Sequence, residues 1–205
     1  MNKYYQLKVT LKGVTPLVWR SFVVPADITL DRLHDVLQIV MGWEECHLHL
    51  FRFKKQIFTE APESSGEEDE ALVRLNTLLQ KNGNKLTYLY DFGDDWEHEI
   101  ILEDKNFFSD DMFSPFECLE GKMNCPPEDC GGAVGYMRGF QAVSDPQNNE
   151  EAFEAFTDFI GVPDVSPQEI LGYIFTFDIN EVNSGLALYA RWSRERALPL
   201  ANDDL

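Results

Sequence analysis

The stretch YQLKVTLKGVTPLVWRSFVVPADITLDRLHDVLQIVMGW, residues 5–43, decides the fold because its hydrophobic period changes along its length. Apolar and polar residues alternate over 4–12, which predicts a half-buried strand, and a second strand is expected over about 18–24. From Leu30 the apolar residues recur at helical spacing, so the sequence predicts a helix that ends at Gly42. The chain therefore opens with two strands and a helix.

Further strands extend this opening into a sheet. Residues 47–53 and 56–59 read as a strand pair, and 86–92 with 96–103 read as a longer hairpin, because apolar and polar residues alternate in them. The order of elements predicts an α+β fold: a mixed β-sheet with a β-grasp-like start (strand, strand, helix, strand), a long hairpin, a Cys-, Pro- and Gly-rich loop, and C-terminal helices.

The composition is strongly acidic, with 36 Asp and Glu against 17 Lys and Arg and a net charge of −19. Such a charge repels phosphate backbones and anionic lipids, so nucleic acid and membranes are poor partners. No apolar run is as long as a membrane span, and the amino terminus reads as a strand rather than a signal segment. We therefore expect a cytoplasmic protein in which Cys46, Cys118, Cys125 and Cys130 are reduced thiols or metal ligands. The acidic run over 60–70 is expected to be a solvated loop.

The segment DFGDDWEHEI, residues 91–100, combines carboxylates, a tryptophan and a histidine in ten residues. Asp94 and Asp95 follow a glycine, as in a turn, while Trp96 and His98 occupy alternate positions of the next strand. The interpretation we prefer is a hairpin whose acids bind backbone amides and whose histidine packs inward.

A second interpretation makes this turn and the loop near 125–130 a divalent-ion or acid–base site, because carboxylates and imidazole bind metals and transfer protons. Its members would be Asp91, Asp94, Asp95, His98, Cys125, Glu128, Asp129 and Cys130. The spacing Cys118-x6-Cys125-x4-Cys130 lacks the paired C-x2-C knuckles of structural zinc sites. A zinc ion at Cys125 and Cys130 would therefore need another ligand, such as His98. We prefer packed free thiols and expect no cofactor, with zinc or another divalent ion as the alternative.

His47 and His49 fall on one face of the strand predicted over 47–53, about 7 Å apart. This spacing suits a metal pair, but no acidic or cysteine neighbour in the strand completes a ligand set. The preferred interpretation is an aromatic face that continues through Phe51 and Phe53.

Several segments together resemble a known family. They are residues 5–43 quoted above, HLHLFRF (47–53), YLYDFGDDWEHEI (88–100) and CLEGKMNCPPEDCGGAVGY (118–136). In order and spacing they are similar to the plasmid pRi open-reading-frame-three-like family, which is also labelled an IS-element passenger family of the TnpR type. The resemblance covers about residues 3–145 and implies an α+β domain without an established activity. Ser21, with Arg20 as its only close arginine, does not fit the nucleophile of a serine recombinase.

We expect one domain over 1–205, with a family core over 1–145 and a helical extension over 146–205 packed on it. The predicted function is a binding or adaptor module without catalysis, which presents a groove to a protein or peptide. The groove residues would be Asp91, Asp94, Asp95, Trp96, His98, Glu128, Asp129 and Tyr136. Two alternatives stay open: a metal-dependent hydrolase-like enzyme at 91–98 and 125–130, and a nucleic-acid-binding protein associated with a mobile element. The second rests on the family label and is opposed by the charge.

Overall fold

The computed structural model describes residues 3–110 and 114–197, and side chains up to residue 193. Within these residues the chain forms eight strands and six helices. The strands are β1 (Tyr4–Leu11), β2 (Trp19–Pro25), β3 (His49–Phe53), β4 (Gln56–Thr59), β5 (Glu67–Asp69), β6 (Lys85–Tyr90), β7 (Trp96–Phe107) and β8 (Glu117–Lys122). The helices are α1 (Leu30–Met41), α2 (Leu75–Leu78), α3 (Gly132–Ser144), α4 (Glu150–Phe159), α5 (Pro167–Ile174) and α6 (Ile179–Ala197). The predicted α+β class and the strand, strand, helix, strand opening are confirmed.

All eight strands join one mixed sheet in the order β5-β4-β3-β6-β7-β1-β2-β8. The β4–β5 pair is parallel, and the other neighbours are antiparallel. Along β1 every second residue is buried, as the alternation predicts, and Leu7, Val9 and Leu11 are fully enclosed. One sheet face therefore forms the core.

Helix α1 places its apolar residues in this core and ends where the sequence predicts. Gly42 takes the left-handed conformation (φ 91°) and donates its N–H to the carbonyl of Gln38. The buried Arg20 of β2 then fixes the end of the helix, since its Nε donates to the Val40 carbonyl and its Nη1 to the Lys122 carbonyl, each at 2.9 Å. A cation at the carboxyl end of a helix also complements the helix dipole.

Three local expectations are wrong. His47 lies before β3, which begins at His49, so the two histidines do not share a strand face. The acidic run over 60–70 is not merely solvated, because β5 lies in it and Glu70 is only 2% exposed. The long Cys-rich stretch contains β8, which pairs with β2 as the edge strand. The local sequence predicts neither strand, because β5 consists of acidic residues and β8 is stabilised by pairing with β2, which is distant in the sequence.

The C-terminal helices are part of the same hydrophobic core as the sheet. Phe156 of α4, Ile170 of α5 and Leu186 of α6 all belong to it. Helix α5 begins with a capping box: the Ser166 hydroxyl accepts a hydrogen bond from the Glu169 N–H, and the Glu169 carboxylate accepts one from the Ser166 N–H. The end of the predicted 146–205 extension, residues 198–205, lies outside the described residues. In the part of the chain that the structure describes, no helix has the length and apolar character needed to cross a membrane.

Candidate functional site

His98 and Trp96 point into the core, as the strand alternation predicts. They are 0% and 1% exposed, and the His98 ring meets the Trp43 ring edge-on at a centroid distance of 5.0 Å. The ring nitrogens of His98 lie near the backbone of Tyr88 and Trp96 but form no well-directed hydrogen bond. Burial lowers the pKa of His98 from 6.5 to about 4. His98 is therefore a neutral core residue at pH 7.

The turn after β6 and the loop before α3 are in direct contact. Asp94 Oδ2 accepts a hydrogen bond from the Gly131 N–H at 3.1 Å, and a Cβ on Gly132 would lie 2.1 Å from the Asp94 carbonyl oxygen. Asp94 thus binds a backbone amide of the loop at the start of α3, where a negative charge is favourable. Asp95, beside it, is exposed. The two segments leave no groove between Asp94 and Gly131.

Asp91 of the turn and Asp129 of the loop both lie close to His47, which the sequence pattern had placed on a strand with His49. Nε2 of His47 lies 3.4 Å from Oδ1 of Asp129 and 3.8 Å from Oδ2 of Asp91. One ligand atom from each of the three residues lies within 4.8 Å of the others. We call this group the His47 triad. It is the one such group of three potential metal ligands among the side chains described in 3–110 and 114–193.

The surrounding backbone holds the triad in place. Asp91 and Asp129 both have left-handed backbone conformations (φ 59° and 57°), which aspartate tolerates better than most residues. Asp91 Oδ1 accepts the Gly93 N–H at 2.8 Å, which fixes the carboxylate so that Oδ2 faces His47. Because Asp91 is only 7% exposed, this orientation is set by the interior rather than by solvent.

Glu128 anchors the neighbouring loop. Tyr90 donates its hydroxyl to Glu128 Oε1 at 2.7 Å, and the same oxygen accepts the Glu44 N–H at 3.2 Å. The Tyr90 oxygen in turn accepts the Cys46 N–H at 3.1 Å. These bonds position the residues that precede His47.

A second, buried group lies beside the triad. The rings of His34 and His49 stack with centroids 3.5 Å apart and an interplanar angle of 3°. His49 Nε2 lies 2.9 and 3.0 Å from the two oxygens of Glu70, and His34 Nδ1 lies 2.7 Å from the Tyr88 hydroxyl. Burial, and then the proximity of His49, lower the pKa of His34 to about 3. A pocket of about 510 Å³ adjoins these residues and His47, and acidic side chains line it: Asp31, Asp35, Glu45, Glu60, Asp69 and Glu70.

A larger cavity of about 740 Å³ lies on the other side of the 125–129 loop, and we call it the Trp43 cavity. Trp43 donates its indole N–H to the Pro126 carbonyl at 3.0 Å and so joins the end of α1 to this loop. Apolar residues of α4, α5 and the segment between them form the opposite wall, among them Phe156, Ile160, Val162, Val165, Ile170 and Ile174. Glu44, Glu128, Asp129 and Glu169 also line the cavity, and no Lys or Arg does within the described residues.

The sequence-predicted site residues are therefore divided. Glu128, Asp129 and Tyr136 line the Trp43 cavity, Asp91 and Asp129 belong to the His47 triad, and the remaining groove residues do neither. Those residues are Asp94, Asp95, Trp96 and His98.

The thiols considered as zinc ligands are protonated at neutral pH. Burial raises the pKa of the Cys130 thiol to about 12 and raises that of Cys125 as well. Within the described chain they do not gather with His98 into a set of three ligands. All four cysteines are free thiols.

The sequence analysis did not identify His34 or Glu70, and only His34 occupies a position that could have indicated its role. His34 follows Leu33 on the buried stripe of α1, where a polar residue needs a partner. Glu70 is the last residue of the acidic run, and nothing in the sequence distinguishes it from the acidic residues before it.

Comparisons with known proteins agree with this fold. The sequence profile described as plasmid pRiA4b ORF-3-like protein matches residues 3–183. Uncharacterized protein y4hQ of Sinorhizobium fredii (strain NBRC 101917 / NGR234) is 43% identical over 150 residues, which are 72% of this chain and 76% of that protein. The crystal structure of a protein of unknown function, MM3350 from Methanosarcina mazei Go1, superposes with a TM-score of 0.72 at 30% identity, covering 88% of this chain and 98% of the other.

Proposed function

The chain belongs to the plasmid pRiA4b ORF-3-like family, and from this premise we propose that it is a binding module without catalysis. The Trp43 cavity takes a peptide segment of a partner protein, with an apolar side chain inside the cavity and a neighbouring lysine or arginine at its edge. The observation that carries the proposal is the combination of an apolar wall with acidic residues and, among the described residues that line the cavity, no Lys or Arg. The TnpR label and its mobile-element context remain predictions.

The size and walls of the cavity support an apolar side chain as its occupant. Cavities of several hundred Å³ lined by aliphatic and aromatic residues are typical of ligand sites. Trp43, Tyr136, Ile170 and Ile174 are among the residues that line it. Burying one leucine- or phenylalanine-sized side chain there contributes about 1.5–3 kcal/mol.

The charge supports a basic neighbour for that side chain. Glu44, Glu128 and Asp129 lie along one side of the cavity and Glu169 on the other. With the net charge of −19 they attract cationic segments and repel acidic ones. The same charge argues against nucleic acid as the partner.

The surface around the cavity favours a peptide over a small molecule. Tyr173 and Phe159 line the cavity yet remain 70% and 48% exposed. A ligand confined to the cavity would leave these rings in water, whereas a longer segment would cover them. A cytoplasmic partner is consistent with four free cysteines, and we propose that location for the chain.

Selection from a phage-displayed library of random dodecapeptides tests the proposal. Enriched peptides are resynthesised with a fluorescent label, and their affinity is measured by anisotropy. We expect them to share an apolar residue next to lysine or arginine. Tyr173→Ala and Phe159→Ala should each weaken binding about tenfold, or ~1.4 kcal/mol, as expected for an interface aromatic.

Phe108→Ala is the matched control, because Phe108 is 75% exposed and does not line the cavity. It should leave the affinity unchanged. Enrichment of acidic peptides, or binding that Tyr173→Ala and Phe159→Ala do not weaken, would contradict the proposal.

A further inference from the structure

We propose that the His47 triad binds one divalent transition-metal ion of the zinc or manganese class. The ligands are Nε2 of His47, Oδ2 of Asp91 and Oδ1 of Asp129. One imidazole with two carboxylates suits such ions better than Ca²⁺ or Mg²⁺, which favour oxygen ligands alone. None of the three ligands is a thiol. Asp129 also lines the Trp43 cavity, but the metal site needs no ligand in that cavity.

The spacing of the three atoms matches a shared ion. With metal–ligand bonds of ~2.1 Å, two ligands of a tetrahedral site lie about 3.4 Å apart. The observed separations from Nε2 of His47 are 3.4 Å to Asp129 and 3.8 Å to Asp91. The separation to Asp129 equals the tetrahedral value, and the separation to Asp91 exceeds it by a few tenths of an ångström.

The hydrogen bonding also leaves the ligand atoms available. Nε2 of His47 is enclosed by protein, yet it has no hydrogen-bond partner among the described residues, even though two carboxylates lie close. The Asp91 oxygen, at 3.8 Å, is beyond hydrogen-bond distance, and the Asp129 oxygen, at 3.4 Å, forms no hydrogen bond with Nε2. An ion placed between the three atoms would satisfy the nitrogen and both acids.

Asp91 supplies a second, independent reason. Asp91 is 7% exposed, and within the described chain no Lys or Arg forms an ion pair with it. Its Oδ1 is occupied by the Gly93 N–H, so the oxygen that faces the triad is Oδ2. A buried carboxylate is stable only with a compensating charge or further hydrogen bonds. A metal ion supplies that charge, and the 71% exposed Asp129 side chain leaves one side open for water.

The competing explanation is a protonated His47 paired with two aspartates, without any metal. The amount of metal bound per chain distinguishes this explanation from the proposed metal site. The purified chain is loaded with Zn²⁺, or with Mn²⁺ in a parallel sample, dialysed against metal-free buffer and analysed for metal content. Affinity is then measured by competition with a chromophoric chelator. We expect one equivalent of metal per chain.

The variants are chosen to keep the fold. Asp129→Asn replaces an exposed residue in a left-handed conformation by the residue that tolerates it equally well, and it should weaken zinc binding by at least about tenfold. Asp95→Asn is the matched control, because Asp95 is also exposed and left-handed (φ 53°) but lies outside the triad. It should bind zinc as the natural chain does. His47→Ala should abolish stoichiometric binding.

A nuclear magnetic resonance readout guards against adventitious binding. Zinc should shift the ring nitrogen signals of His47 and leave those of the buried His98 in place. Tyr173→Ala should not alter zinc affinity, so failure of the peptide proposal would not affect this one. Equal zinc content in His47→Ala and the natural chain, or retention of Ca²⁺ with no zinc or manganese, would overturn the inference.

Discussion

Acidification should weaken the fold through His98, the fully buried histidine of β7. Its ring is enclosed by Trp43, Tyr88 and Trp96, and burial lowers its pKa from 6.5 to about 4. Between these two pKa values the unfolded chain binds a proton that the folded chain does not bind. The free energy of unfolding therefore falls as the pH decreases below 6.5, and the loss levels off below about pH 4.

The magnitude follows from the two pKa values. At pH 5 the unfolded histidine is almost fully protonated and the folded one is about nine-tenths neutral, so this one group lowers the free energy of unfolding by about 2 kcal/mol relative to pH 7. His34, whose pKa is about 3, adds a loss of similar size in the same pH range. The sum is a large part of the stability of an ordinary domain.

The assay compares urea unfolding of the natural chain and of His98→Leu at pH 7 and pH 5. Leucine keeps an apolar side chain of similar size at this position and removes the titrating group, while His34 and the carboxylates titrate in both proteins. The natural chain should lose about 2 kcal/mol more than the variant over this pH range. Equal losses would refute the reasoning, since they would mean that the folded protein solvates or pairs a charged His98.

Two further outcomes concern packing. Arg20→Met keeps the aliphatic stem but leaves the Val40 and Lys122 carbonyls without their hydrogen-bond donor. Urea unfolding should therefore show that the free energy of unfolding falls by about 3 kcal/mol. An unchanged urea midpoint would show that water replaces the guanidinium. Gly132→Ala should lower the melting temperature, because the added Cβ would meet the Asp94 carbonyl and because the φ of Gly132 is +64°. Gly172→Ala, on the open face of α5, should instead raise the free energy of unfolding by about 0.5–1 kcal/mol. Equal changes in melting temperature for the two variants would contradict the contact between Gly132 and Asp94.

The fold was largely predictable because its main elements have clear local periods. Alternation over β1 and β7 and the stripe of α1 identify the buried faces without knowledge of their partners. Elements without a clear hydrophobic period of their own were not predictable in this way. β5 consists of three acidic residues and is a strand because β4 pairs with it, and β8 is hidden in a Cys- and Pro-rich stretch.

The site was less predictable because its residues come from separate segments. His47, Asp91 and Asp129 meet only when a loop after α1, a turn after β6 and the loop before α3 are all in place. The spacing of residues within one segment therefore does not show that these three side chains lie together. It correctly predicted that His98 points inward. It also named Asp91 and Asp129 among the candidate site residues, but it placed His47 on a strand where no partner was visible.

The loop between α1 and β3 connects the two proposed sites physically. The backbone N–H groups of Glu44, Glu45 and Cys46 each donate to a side chain from another part of the fold, in turn Glu128, Gln38 and Tyr90. Trp43 of the cavity precedes these amides and His47 of the triad follows them. Because the loop is already ordered by these bonds, a ligand at either place meets a fixed backbone and loses little free energy to ordering it. That rigidity is a property expected of a binding site, and two of the three side chains that supply it, Glu128 and Tyr90, lie far from the loop in the sequence.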